Sequence, residues 1–150
     1  MNKIEKLIKK YCPDGVEYRK LGDIWNKAPK SKLGVAKIKE LPIGDVICFT
    51  SGNNFYFIDK SLIDGEYLFM NDDGQADIKY HKEQAYYTDH VFAFTTNDMI
   101  VKFLYYYLKN NQQYVDEKLF KGVGLKNLDK KILKKSKYLY PPYCYTRRDS

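Results

Sequence analysis

The sequence predicts an α+β fold: a twisted mixed or antiparallel sheet of short strands with a few packed helices. Three observations predict it. Between residues 46 and 94, short β-branched and aromatic runs alternate with clusters of Gly, Asn and Asp, the pattern of short strands joined by tight turns. After residue 97 the apolar residues recur at a helical period instead. A length of 150 residues suits one sizeable core and not two.

The elements follow in order. Ile4, Leu7, Ile8 and Tyr11 recur at helical spacing opposite Lys3, Lys6, Lys9 and Lys10, which predicts a leading amphipathic helix over residues 1–12. Cys12-Pro13-Asp14-Gly15 ends it, since proline and glycine break the backbone pattern. Residues 16–24 read as extended chain leading into the domain. Residues 26–40 are basic, carry Pro29 and Gly34, and read as loop with a little helix. Strands are expected at 46–50, 55–58, 67–70, 85–88 and 90–94, with turns at 51–54, 63–66 and 71–75. A helix should start near Asn97, with Ile100, Phe103, Leu104, Tyr107 and Leu108 on its apolar face and Asn110-Asn111 as its stop. A second short helix is expected over 129–135, capped by Asp129, and a last strand over 137–140 before Pro141-Pro142.

The net charge is +7, and its distribution says more than its size. Residues 1–40 hold 11 Lys/Arg against 5 Asp/Glu, residues 41–100 hold 3 against 10, and residues 101–150 hold 12 against 4. Basic ends around an acidic middle suit one basic face turned to a polyanion, with an acidic, hydrogen-bonding segment kept beside it. Cys12, Cys48 and Cys144 are far apart, and no CxxC occurs. A disulfide framework and a zinc site are both unsupported, as in a reducing cytoplasm. The first residues lack the apolar core of a signal peptide, and no run is long enough to span a membrane. The reading is a cytoplasmic protein with no membrane partner.

Most catalytic signatures are absent. The chain has no phosphate loop, no GxGxxG after a strand, no HExxH and no nucleophile elbow. Its only histidines are His81 and His90. Setting Gly74 at position six of a calcium loop puts Phe69 and Tyr80 at its first and twelfth positions, where neither can supply a carboxylate. Asp89-His90 reads as a sheet-edge turn with a structural histidine; a small hydrolase around that pair or Asp72-Asp73 is the competing reading. Pro141-Pro142-Tyr143 lacks the leading Asn of an amino-methyltransferase motif.

Three segments carry recognition chemistry. Ser51, Asn53 and Asn54 lie in a turn after a strand, and an asparagine amide can donate to and accept from adenine. Asp72, Asp73 and Gln75, followed by Lys79 and Lys82, offer acceptors for cytosine N4, an amide for adenine, and cations for phosphate. Lys121, Gly122, Gly124, Lys126 and Asn127 combine glycines that let a backbone approach phosphate with side chains that grip it. The run Lys130, Lys131, Lys134, Lys135 and Lys137 extends a possible phosphate track. Each segment also reads as an ordinary solvated turn, loop or helix face.

Residues 12–142 together resemble the specificity (S) subunits of type I restriction-modification enzymes. Residues 12–24, CPDGVEYRKLGDI, look like the opening of many of their domains. Thr50-Ser51-Gly52-Asn53-Asn54 resembles the family's TSG-type turn, and residues 103–108, FLYYYL, its helix. Residues 126–133, KNLDKKIL, followed by Pro141-Pro142, are similar to its closing pattern. The resemblance implies a fold of the target-recognition-domain type over residues 1–142, which reads double-stranded DNA and catalyses nothing. It implies methyltransferase (M) and restriction (R) subunits as partners. No cofactor is expected on this chain, with S-adenosylmethionine, ATP and Mg on those subunits. Full S subunits carry two such domains separated by long helices. Residues 143–150 do not follow the family's spacer-helix pattern, and Tyr138 and Tyr140 replace its isoleucines. The expectation is a truncated or frame-shifted copy with one recognition domain. The competing reading is a degenerate fragment that only contacts partner subunits.

Overall fold

The computed structural model describes residues 6, 9–10, 17–97, 101–122 and 126–140. In chain order these form β1 (Glu17–Lys20), α1 (Leu21–Ile24), β2 (Trp25–Lys27), α2 (Val35–Lys39), β3 (Ile43–Phe49), β4 (Phe55–Ile58), β5 (Ile63–Asn71), β6 (Ile78–Tyr87) and β7 (Val91–Thr96). Then come α3 (Val101–Asn110), α4 (Gln112–Leu119), β8 (Phe120–Lys121), β9 (Asn127–Leu128), α5 (Lys130–Lys135) and β10 (Lys137–Tyr140). The main sheet has six strands in the order β2-β7-β5-β6-β3-β4. Its β3–β6 pair is parallel and the others are antiparallel. The α+β expectation with a mixed sheet is met.

Alternation along β5 divides the core. Leu68 and Met70 join Ile78 and Phe94 against Phe103, Leu104 and Leu108 of α3, Val115 and Leu119 of α4, and Leu133 of α5. Phe69 turns the other way and packs with Phe49, Tyr87 and Ala93. A third, smaller cluster sets Ile38 of α2 against Cys48 and Ile58. Burial raises the Cys48 thiol to about 12, so it packs as a small hydrophobe.

The sheet turns a corner. Phe69 pairs with Lys79, yet its ring centroid stands 5.8 Å from that of Tyr87. Eight residues of straight strand would separate Lys79 from Tyr87 by about 26 Å, so β6 must fold back. The bend lies where Gly65 (φ 138°) faces Glu83 (φ 141°) across the β5–β6 ladder. Paired positive-φ residues let both strands bend together. The turn expected at 63–66 is therefore strand: Gly65 bends β5 instead of reversing it.

Other differences have similar causes. Residues 78–84 are strand although they are mostly polar, because much of that stretch is solvent-exposed. The helix α4 carries only Val115 and Leu119 as buried residues, too sparse a stripe to stand out. The expected stop at Asn110-Asn111 is a junction: α3 ends at Asn110 and α4 begins at Gln112, with Asn111 Nδ2 donating to the Tyr107 carbonyl at 2.8 Å. Residues 16–24 and 26–40 are more structured than expected, since β1, α1, β2 and α2 fall there. Asp129 does cap α5, accepting from the Lys131 and Ile132 amides.

The strands β1 and β10 pair antiparallel from Glu17↔Tyr140 to Lys20↔Lys137, and Leu21 N–H donates to the Ser136 carbonyl at 2.9 Å. The two ends of the described domain thus meet on one ribbon. Of the leading helix, Lys6, Lys9 and Lys10 are helical and exposed; Ile4, Leu7, Ile8 and Tyr11 lie outside the described residues. So do Asp98, Ile100, Gly124 and the 143–150 tail. Among the described residues no helix is long and apolar enough to cross a membrane.

Candidate nucleic-acid interface

The loop after β5 is organised from within by Asn71, which is only 3% exposed. Its amide nitrogen donates to the carbonyls of Asp73, at 2.6 Å, and Gln75, while Oδ1 accepts from the Asp77 N–H at 2.7 Å. This replaces the pairing that the backbone loses when the strand ends. Gly74 sits at φ 80°, a conformation that favours glycine. With the backbone so held, Gln75 is exposed and Asp72 and Asp73 are half-buried.

The loop is tied to the hairpin β8–β9. Gly74 N–H donates to the Lys126 carbonyl at 2.7 Å, and Leu128 N–H to the Asp72 carbonyl at 2.8 Å. Asp73 and Asn127 form an isolated antiparallel bridge. Helix α4 holds the far side: Asp116 Oδ1 accepts from the Ala76 N–H, and Gln112 Nε2 donates to the Ala76 carbonyl, both at 2.9 Å. Two of the segments singled out in the sequence, 46 or more residues apart in the chain, are thus one structure.

The third segment is attached through Lys79. Its ammonium lies 2.5 Å from Asp77 Oδ2 and 3.5 Å from the Thr50 carbonyl. Thr50 in turn shapes the turn, donating through Oγ1 to the Asn54 carbonyl at 2.6 Å and accepting from the Gly52 N–H at 3.2 Å. Asn53 and Asn54 are exposed and Ser51 is half-buried. Lys79 is therefore engaged inside the site. Lys82, Lys121, Gly122, Lys126 and Asn127 are exposed.

Acidic and basic groups interleave here. Lys130 Nζ stands 3.1 Å from Asp72 Oδ1 and 5.5 Å from the centroid of the Phe92 ring. His90 lies between Asp73, at 3.7 Å, and Asp89, at 3.9 Å. A cleft of about 200 Å³ is lined by Lys27, Lys30 and Lys130 together with Asp72 and Asp89. Sequence reasoning missed Lys27 and Lys30, which come here because β2 pairs with β7 and Ala28 N–H continues that ladder to Ala93. Their local signal was only that of a basic loop. On α5, Lys131, Lys134 and Lys135 are exposed, with the stem of Lys134 lying over Gly22 of α1.

The family described as the type I restriction modification DNA specificity domain matches residues 13–144. The chain belongs to this family. The match coincides with the stretch whose motifs resembled S subunits. Among solved structures, the specificity domain is similar to the S subunit of a type I restriction-modification system from M. genitalium. The TM-score is 0.67 at 18% identity, over 85% of this chain and 36% of that one. It is also similar to the HsdS subunit from Thermoanaerobacter tengcongensis, with a TM-score of 0.62 at 12% identity, over 97% of this chain and 40% of that one. Likeness at these identities establishes the fold, and the specificity domain spans well under half of each of those subunits. No curated protein matches it.

Proposed function

We propose that this specificity domain reads one part of a double-stranded DNA target for a type I restriction-modification system. The observation that carries the reading is the joining of the 71–77 loop to residues 126–128, with the 50–54 turn held close by Lys79. Exposed Asn53, Asn54, Gln75 and Asn127 offer amides to base edges, and Asp72 and Asp73 offer acceptors, with Ser51 beside them. Exposed Lys82, Lys121 and Lys126 grip phosphates, the glycines at 122 and 124 let the backbone come near, and Lys79 positions the loops. Lys27, Lys30 and the lysines of α5 widen the basic rim.

In this reading residues 1–142 make up the recognition domain, which catalyses nothing and holds no cofactor. Methyltransferase subunits bring S-adenosylmethionine and modify adenine. Restriction subunits bring ATP and Mg, and the assembly works in the cytoplasm.

A mobility-shift series at rising salt tests the proposal. Duplex binding should weaken steeply with salt, and Lys121→Met or Lys126→Met should each lower the log–log slope by about 0.9. A folded chain that binds no duplex at low salt refutes it.

A further inference from the structure

We propose that His90 is a further base-reading residue, and that with Asp73 it recognises a guanine–cytosine pair in the major groove. This rests on the DNA-reading function proposed above and names a base pair for it. The His90 side chain is 61% exposed, too open for a histidine that only completes a core. Its place is nonetheless fixed. The His90 carbonyl accepts from the Asp72 N–H at 2.7 Å, and Val91 N–H closes the turn on the Thr88 carbonyl at 3.2 Å. Thr88 N–H donates to the Phe49 carbonyl at 3.0 Å and Asp89 N–H to the Leu33 carbonyl at 2.9 Å. The 88–91 turn is thus held from three sides, against the loop whose Asp73 bridges to Asn127. It adds a fourth segment to the recognition face.

The groups around the ring select its target. Nδ1 stands 3.7 Å from Asp73 Oδ2, and Nε2 stands 3.9 Å from Asp89 Oδ1. Both separations exceed hydrogen-bond reach, so the carboxylates flank the ring without engaging its N–H. Asp89 Oδ1 is buried and has no hydrogen-bond partner among the described residues; it backs the ring. Asp73, on the recognition loop, is the acceptor beside it. Asp72 is engaged by Lys130 at 3.1 Å. The face therefore presents an N–H donor next to a carboxylate. A phosphate reaching His90 would meet two carboxylates and be repelled. A guanine–cytosine pair answers the pattern: guanine O6 and N7 accept, and the adjoining cytosine N4 amino group donates at the end of the pair's edge. In adenine–thymine the amino group lies between two acceptors, adenine N7 and thymine O4, so a carboxylate there would also face thymine O4.

The test uses the full chain and a library of duplexes randomised in sequence, selected by binding and sequenced. One position of the selected motif should be guanine–cytosine for the parent and relaxed for His90→Leu, with the other positions unchanged. In anisotropy titrations of the selected duplex, exchanging that pair for any other should weaken the parent about tenfold and His90→Leu little. Inosine in place of that guanine removes only the minor-groove amino group and should leave parental binding intact. Far-UV circular dichroism and melting check that the variants stay folded. Asp73→Asn should relax the same position, and serves if His90→Leu does not fold. An unchanged motif in these variants overturns the proposal, as does adenine–thymine at the position that depends on His90. So does a loss on inosine substitution, or a uniform loss on all duplexes with a shallower salt slope, the mark of a phosphate contact. A folded parent that binds no duplex removes the DNA-reading function itself; duplex binding with a preference indifferent to His90 removes only this inference.

Discussion

Asn71→Ala removes one small side chain and should loosen the whole recognition loop. Three hydrogen bonds go: two donated to the Asp73 and Gln75 carbonyls and one accepted from the Asp77 N–H. At about 1 kcal/mol net for each, with some of the freed groups rewetted, the loss is about 2–3 kcal/mol. An unfolding entropy of about 2.1 cal/mol/K per residue gives about 0.3 kcal/mol/K for 150 residues, so melting should fall by about 6–10 °C. Asn71→Asp keeps the acceptor for Asp77 but turns an oxygen toward two carbonyls, and should cost at least as much. Urea and thermal unfolding measure the stability. Amide exchange at Gly74 and Leu128, which donate to Lys126 and Asp72, reports whether the loop has left the hairpin. Stability within about 0.5 kcal/mol of the parent, with protection at Gly74 unchanged, would refute the claim that Asn71 organises the site.

Two further outcomes follow from the fold. A Cβ on Gly44 would lie 2.4 Å from the Ile58 carbonyl oxygen and 2.6 Å from Asp59 Cα, beside the register shift between Ile43 and Val46. Because both obstacles are backbone, Gly44→Ala should cost about 3 kcal/mol, and parental melting would contradict the close approach. The Tyr80 hydroxyl is pushed up to about 12, first by burial and then by its hydrogen bond to Glu66. The unfolded chain gives up this proton near pH 10, whereas the folded chain keeps it. Its contribution is full below pH 10 and fades as pH rises through 12. Urea midpoints across that window should fall less steeply in Tyr80→Phe; an identical pH slope would remove Tyr80 as a cause.

Much of the local structure was legible. Residues 55–58 are strand as read, the 51–54 and 71–75 turns lie where Gly, Asn and Asp cluster, and Asp129 caps its helix. Gly65 was read as reversing the chain, because a glycine beside an aspartate looks the same in a turn and in a bent strand. Only Glu83, far off in sequence and opposite in register, marks a corner. The helix α4 escaped notice because its two buried residues acquire meaning only against α3 and α5. Lys79 carried a correct charge and an unforeseen duty: it bridges Asp77 and Thr50.

Composition and spacing by themselves determined the class of fold, the basic ends around an acidic middle, and the residue types on offer for recognition. These depend on neighbours within a few positions, where backbone preference and side-chain periodicity act. Tertiary structure alone decided which turns share a face, which lysines are engaged, and where the sheet bends. Those outcomes rest on contacts between residues tens of positions apart, as in Gly74 with Lys126 or Lys79 with Thr50, and chain connectivity carries no local trace of such meetings.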